Sequence, residues 1–156
     1  MPITVRLARA GDERAIAALL VEIHAQHAEG RPDLFGKGKA KYAESDVLDL
    51  FGQKDAPILV AADSEAVVGY AICQIIRNQN PAQGKYKTLY IDDINVAKEA
   101  RRKGIGSALL TECRKIARRS RCYNVTLNVW SFNEGAIAFY EANGFSPQRM
   151  ILESIL

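Results

Sequence analysis

Cysteine is scarce in this sequence, with three residues in 156, and no two of them have the C-x-x-C spacing of a redox or zinc motif. Their number is odd, and Cys73, Cys113 and Cys122 fall in apolar strand-like or helix-like patterns. Buried free thiols in a reducing cytoplasm are therefore expected, with no metal site. No apolar run is long enough to span a bilayer, and Met1–Arg6 lacks the basic-then-apolar pattern of a signal segment, so no membrane association is expected. Strong charge of one sign is also missing: the net charge is +3, which by itself selects no partner. A basic run does exist from Arg114 to Arg121, but no aromatic platform or reading motif accompanies it. It reads as a solvated helix face, and nucleic acid is not expected.

With hydrophobic residues at 48% and charged residues at 25%, the composition is that of a folded globular chain, of a length that suits one domain over 1–156. Ile3, Val5 and Leu7 alternate with polar neighbours, as in a half-buried strand. Gly11-Asp12 opens a helix with Ile16, Leu19, Leu20 and Ile23 on one face, closed by Gly30-Arg31-Pro32. Residues 31–44 read as a loop, and Ser45-Asp46 as the cap of a short helix. Ile58–Ala62 and Val67–Ile76 form a hairpin pattern, and Leu89–Val96 a further strand. Ile105, Leu109, Cys113 and Ile116 recur at helical spacing. Tyr123–Trp130 alternates as a strand, and Asn133 caps a last helix that ends at Gly144. Met150–Leu156 is expected to close the sheet. The order β-α-α-β-β-β-α-β-α-β is that of an α/β chain, a mixed sheet with helices on its faces.

The most informative stretch lies between strand and helix: Asn95-Val96-Ala97-Lys98-Glu99-Ala100-Arg101-Arg102-Lys103-Gly104-Ile105-Gly106-Ser107. Glycines at a helix N-terminus let backbone N–H groups approach an oxyanion closely, and the helix end favours negative charge. A pyrophosphate suits such a turn. The spacing is wrong for a Walker loop, and Leu109 stands where a dinucleotide fingerprint has its third glycine. A simple tight turn and a nucleotide-binding loop remain alternatives on this segment alone.

Two spaced blocks extend the pattern. Arg101-x-x-Gly104-x-Gly106 is followed by Asn133-x-x-Ala136-x-x-Phe139-Tyr140-x-x-x-Gly144-Phe145, and the strand Tyr90–Val96 precedes both. This combination resembles the GNAT (GCN5-related) N-acetyltransferase family, with local similarity to diamine acetyltransferase-like members. The resemblance covers about the C-terminal half. It implies a mixed, mostly antiparallel central sheet with helices on both faces, acetyl-CoA as co-substrate and an amine as acceptor.

The resemblance also implies roles. The amides of Arg102, Lys103, Gly104, Ile105, Gly106 and Ser107 would hold the CoA pyrophosphate, with Arg101 and Arg102 adding charge. Ile94, Asn95 and Val96 would carry the pantetheine arm like an added strand. Asn133, Ala136 and Tyr140 complete the implied cofactor contacts, and capping by Asn133 is compatible with its part. GNAT sheets carry a β-bulge in this strand that aims an amide at the thioester. The sequence agrees: Leu89 and Ile91 are apolar at odd positions, Ile94 and Val96 at even ones, so the phase slips at Asp92-Asp93.

Thioester attack needs a neutral amine, and an alkyl amine of pKa ~10.4 is only about 0.1% neutral near pH 7.4. Asp92 is the first candidate base, direct or through water, because it aligns with a glutamate of diamine acetyltransferase-like members; structural bonding at the bulge is the alternative. Tyr140 matches the family's general acid, against a packing role beside Phe139. The amide of Ile94 or Asn95 would stabilise the oxyanion. His24, His27, Glu22, Phe35 and Tyr42 are candidates for the acceptor's entrance. The reading is an N-acetyltransferase working by direct transfer in a ternary complex; the alternative is a catalytically silent acetyl-CoA-binding module. The apolar last strand suggests a homodimer.

Overall fold

The computed structural model describes residues 2–36 and 40–156. Five strands and four α-helices follow in the order β1 (Ile3–Leu7), α1 (Glu13–Gly30), α2 (Glu44–Leu50), β2 (Ile58–Asp63), β3 (Ala66–Arg77), β4 (Lys87–Val96), α3 (Ile105–Arg119), β5 (Asn124–Leu127) and α4 (Glu134–Ala142). One turn of 3₁₀ helix, Lys98–Ala100, leads from β4 toward α3. The strands lie in the spatial order of their sequence. All neighbours are antiparallel except β4 and β5, which are parallel.

Alternation along the sheet assigns its two faces. At Gly69 the backbone lies against Leu109 of α3. One residue on, Tyr70 points the other way, and its partner Asn95 donates from Nδ2 to the Leu19 carbonyl of α1 at 3.1 Å. Helices α1 and α3 therefore cover opposite faces. The core that results holds Ile16 and Leu20 of α1, Val60, Tyr70, Ile72 and Leu89 of the sheet, and Leu109, Leu110 and Cys113 of α3. Cys73 and Cys113 are buried free thiols, and Cys122 is half-buried and free.

The helix starts follow from local chemistry. Asp12 precedes α1 and accepts from the Arg9 amide at 2.9 Å and from both terminal nitrogens of Arg6 at 2.7 and 3.1 Å. Helix α2 starts one residue before the expected Ser45-Asp46 cap, because the Asp46 carboxylate reaches back to the Ala43 amide. Asn133 caps α4 as expected, its Oδ1 accepting from the Ala136 amide at 3.2 Å.

Two departures from the sequence reading concern the end of the chain. Strand β5 stops at Leu127, short of the expected Trp130. Met150–Leu156, expected to close the sheet, is exposed and belongs to no sheet. Among the described residues, no helix is long and apolar enough to cross a membrane.

Candidate active site

The site begins with one irregularity in β4. Ile72 pairs with Asp93, but the next residue of β3, Cys73, pairs with Ile91. Asp92 is the extra residue of a β-bulge, at the place where the hydrophobic phase slips. Its position has a consequence for the neighbouring strand. β5 pairs only with Thr88 to Ile91, all before the bulge. Beyond it, on the β5 side, Asp93–Val96 keeps an edge that no strand covers among the described residues. A cleft of about 3230 Å³ runs from there past β5 to residues 146–153, and its lining includes Asp93–Val96, the loop after β4, and Asn133, Ala136 and Tyr140 of the α4 region.

The loop forms one wall. Arg102 (φ 65) and Gly104 (φ 76) both have left-handed backbones, which bend the chain so that successive amides face one side. Among the described residues, none of the six amides from 102 to 107 donates to a protein acceptor; pairing resumes with Ala108, which donates to the Gly104 carbonyl at 3.0 Å. N–H groups left unpaired at a helix N-terminus are donors that an anion's oxygens can take up. Gly106 serves packing as well, because a Cβ there would lie 2.8 Å from the Phe139 ring of α4. Arg101 is brought to the loop, but its guanidinium serves the scaffold: Nε donates to the Val96 carbonyl at 3.0 Å, and a terminal nitrogen donates to Asn95 and to Glu22, each at 3.2 Å.

The two aspartates at the bulge have different surroundings. Asp92 is tied on both oxygens: Lys41 donates to Oδ1 at 2.8 Å and the Tyr42 hydroxyl donates to Oδ2. Asp93 receives the Tyr70 hydroxyl at 2.7 Å on Oδ1, and its Oδ2 has no hydrogen-bond partner among the described residues. Burial pushes the Asp93 carboxyl above the usual range, against the pull of Tyr70 and Lys41. Tyr140 stands close enough to feel that charge; burial first, then Asp93, pushes its phenol up to about 12. The phenol thus keeps its proton at neutral pH, and among the described residues its hydroxyl has no hydrogen-bond partner. Its ring is fixed by Phe139 and Phe145 at 5.3 and 5.8 Å.

Phe35 anchors the far wall, with its ring 5.7 Å from His24, 5.3 Å from His27 and 5.5 Å from Trp130. Trp130 in turn stacks on Phe132 at 6.1 Å. His24 donates from Nε2 to the Gly36 carbonyl at 2.7 Å, which fixes its ring. Burial holds His27 below its ordinary pKa, against the opposing pull of Asp93. Glu22, a candidate for the entrance, is instead the partner of Arg101.

The sequence reading missed Tyr70 and Lys41, the partners that make Asp92 and Asp93 unequal, and the Trp130-Phe132 wall. The chain's single tryptophan next to the end of a strand was the available signal for the wall. The partners of the aspartates had none, since Lys41 and Tyr70 are 51 and 23 residues away. Among the described residues, no group of three or more His, Cys, Asp or Glu is placed to hold a metal ion.

Residues 20–145 match the family model described as acetyltransferase (GNAT) family. Among solved structures, a mutant of the BH1408 protein from Bacillus halodurans superposes with a TM-score of 0.93 at 25% identity, over 98% of this chain and 99% of that one. The aminoglycoside N-acetyltransferase AAC(6')-Iy, in complex with the bisubstrate analog CoA-S-monomethyl-acetylneamine, gives 0.77 at 13% identity, over 100% and 99%. An aminoglycoside acetyltransferase from an uncultured soil metagenomic sample, in complex with sisomicin, gives 0.71 at 14% identity, over 99% and 95%. At the last two identities the likeness is one of fold.

Proposed function

The chain belongs to the acetyltransferase (GNAT) family, and on that premise we propose that it transfers the acetyl group of acetyl-CoA to a primary amine, by direct attack in a ternary complex. The observation that carries this reading is the row of acceptor-free amides from 102 to 107, opening into the groove that also holds Tyr140 and Asp93. Six N–H donors at a helix N-terminus, two of them on left-handed residues, fit a pyrophosphate, with Arg102 and Lys103 exposed beside them. The open edge of Ile94, Asn95 and Val96 fits an extended pantetheine arm, which would run toward Asn133 and Ala136.

The chemistry then needs a proton acceptor, an oxyanion site and a proton donor. Asp93 suits the first better than Asp92. Taking a proton on Asp92 would compete with its bonds from Lys41 or Tyr42, whereas Asp93 Oδ2 has no hydrogen-bond partner among the described residues. The amine gives a proton to Asp93, directly or through one water, and its nitrogen lone pair forms the N–C bond. The thioester oxygen takes up negative charge against the amide of Ile94 or Asn95. Collapse breaks the C–S bond, and Tyr140 supplies the proton to the departing thiolate. Asp92, with Lys41 and Tyr42, holds the bulge in shape.

The acceptor would be a cationic amine, a small molecule or a protein amine, because the groove presents a carboxylate with Phe35 and Trp130 opposite. The working form would be a homodimer, supported by the exposed apolar residues Met150, Ile151, Leu152, Ile155 and Leu156. Three free cysteines support a reducing cytoplasm. Titration of the isotopically labelled chain with acetyl-CoA tests the binding mode. The largest amide shifts are expected at 102–107 and 94–96; saturation with shifts centred elsewhere, or no binding, would overturn it.

A further inference from the structure

Two loops distant in sequence meet on the acceptor side of the cleft. The Phe132 ring seats on the backbone at the end of α1, in the space that a Cβ on Gly30 would need. Trp130 stacks on Phe132 and meets Phe35, from the segment after α1, at 5.5 Å. His24 and His27 of α1 also pack on the Phe35 ring. These contacts fix the rings without covering them: Trp130 remains 38% exposed, and Phe35 and Trp130 both line the cleft. An aromatic surface held in place and left open within a cleft is a seat for an apolar body.

The negative charges beside that surface are few and mostly spent. Asp93 and Asn95 share one face of β4, and Asn95 reaches the Leu19 carbonyl of α1, so Asp93 projects to the α1 side of the sheet. Burial holds the His27 imidazole below its ordinary pKa, and the opposing pull of Asp93 places that carboxylate near the ring. Among the described residues, four carboxylates line the cleft. Asp92 is paired with Lys41 and Glu153 with Arg31, and Glu141 is exposed near the end of α4. Asp93, whose Oδ2 has no hydrogen-bond partner among the described residues, is left to receive one ammonium group. Eight Arg and Lys side chains line the same cleft, so the further ammonium groups of a polycation would meet like charge.

We propose that the acceptor is an arylalkylamine: a single ammonium group held at Asp93, on a short alkyl chain from an aromatic ring that packs on Phe35 and Trp130. The proposal rests on the acetyl-transfer reading of this site and narrows its amine to one class. One carboxylate satisfies one ammonium, and the rest of such a molecule carries no charge to strand among the cleft's cations. Its ring suits the wall better than an alkyl chain does, because the positive edge of one aromatic ring is drawn to the negative face of another. Trp130 and Phe35 therefore select the body of the substrate, while Asp93 selects its head.

Trp130 is the chain's single tryptophan, so its fluorescence reports on this wall directly. In titrations with and without saturating CoA, phenethylamine should change the emission saturably in at least one state. It should bind ~10-fold or more tightly than spermidine, hexylamine or phenethyl alcohol, which depart from it in charge, ring and ammonium in turn. Phe35→Leu should weaken phenethylamine ~10-fold, with the amide shifts that acetyl-CoA induces at 102–107 unchanged. In turnover the same order is expected in kcat/KM. Phenethylamine bound in this order but not acetylated would support the subsite and contradict acetyl transfer. Spermidine, an aminoglycoside or a lysyl peptide acetylated in preference to phenethylamine would overturn the inference and leave acetyl transfer standing. Equal affinity for the four compounds, no change in emission, or a Phe35→Leu variant that binds like wild type would also overturn it.

Discussion

Phe139 and Tyr140 are adjacent in sequence, and the structure gives them different work. The Phe139 ring occupies the space a Cβ on Gly106 would need, so α4 packs directly against the start of α3. The Tyr140 hydroxyl has no hydrogen-bond partner among the described residues, and Tyr140 lines the groove. Tyr140→Phe therefore keeps the packing and removes the acid: kcat should fall by ~10²–10⁴, with stability changed by no more than about 1 kcal/mol. Steady-state kinetics beside a thermal melt checks this, and a variant with near wild-type kcat would return Tyr140 to packing alone. Asp93 gives a second prediction at this scale, with a definite sign. Its folded pKa is raised, so its contribution to stability is present below the unfolded value near 3.9 and is lost as pH rises through the folded value. At neutral pH the ionised carboxylate weakens the fold. Asp93→Asn still accepts from Tyr70, so it should melt no lower than wild type at pH 7 while kcat drops ~10²-fold or more. A lower melting temperature with kcat retained would mark Asp93 as a structural residue.

At the scale of elements, β4 decides where chemistry can occur, and much of that was legible. A strand has a period of two, so an inserted residue leaves a phase slip that the sequence displays at Asp92-Asp93. The Asn133 cap and the glycine turn before α3 were legible for the same reason, because each is set by residues within a few positions. Which aspartate is free was not legible, because it depends on Lys41, Tyr42 and Tyr70, brought in by loop and sheet. The start of α1 carries its own prediction. Burial pushes the Asp12 carboxyl up, but Arg6 and the Arg9 amide more than reverse this and hold it below the usual range. Asp12→Ala leaves Arg6 without its partner on a half-buried surface and should cost about 1–3 kcal/mol at pH 7 in chemical denaturation. A depressed carboxyl contributes stability above its unfolded pKa and loses it as pH falls through the folded value, so wild type and variant should converge in acid. A gap that stays constant down to pH about 2 would contradict this account of the pair.

Over the whole molecule, two features of the end of the sheet combine. β5 pairs with β4 only before the bulge, and among the described residues no strand lies beyond β5. The apolar pattern of Met150–Leu156 reads as a closing strand, but the segment lies outside the sheet, because an apolar pattern alone does not supply a pairing partner. What the groove is for rests on one claim: the loop amides, Asp93 and Tyr140 act together on acetyl-CoA and an amine. The most direct measurement is mass-spectrometric detection of N-acetylated product from acetyl-CoA with a panel of cationic small-molecule and protein amines, with Tyr140→Phe alongside. Wild type should acetylate at least one class of amine, and the variant should yield ~10²-fold less or lower still. Acetyl-CoA bound at the loop with no acetylated amine from any class would contradict the claim and leave a binding module without turnover.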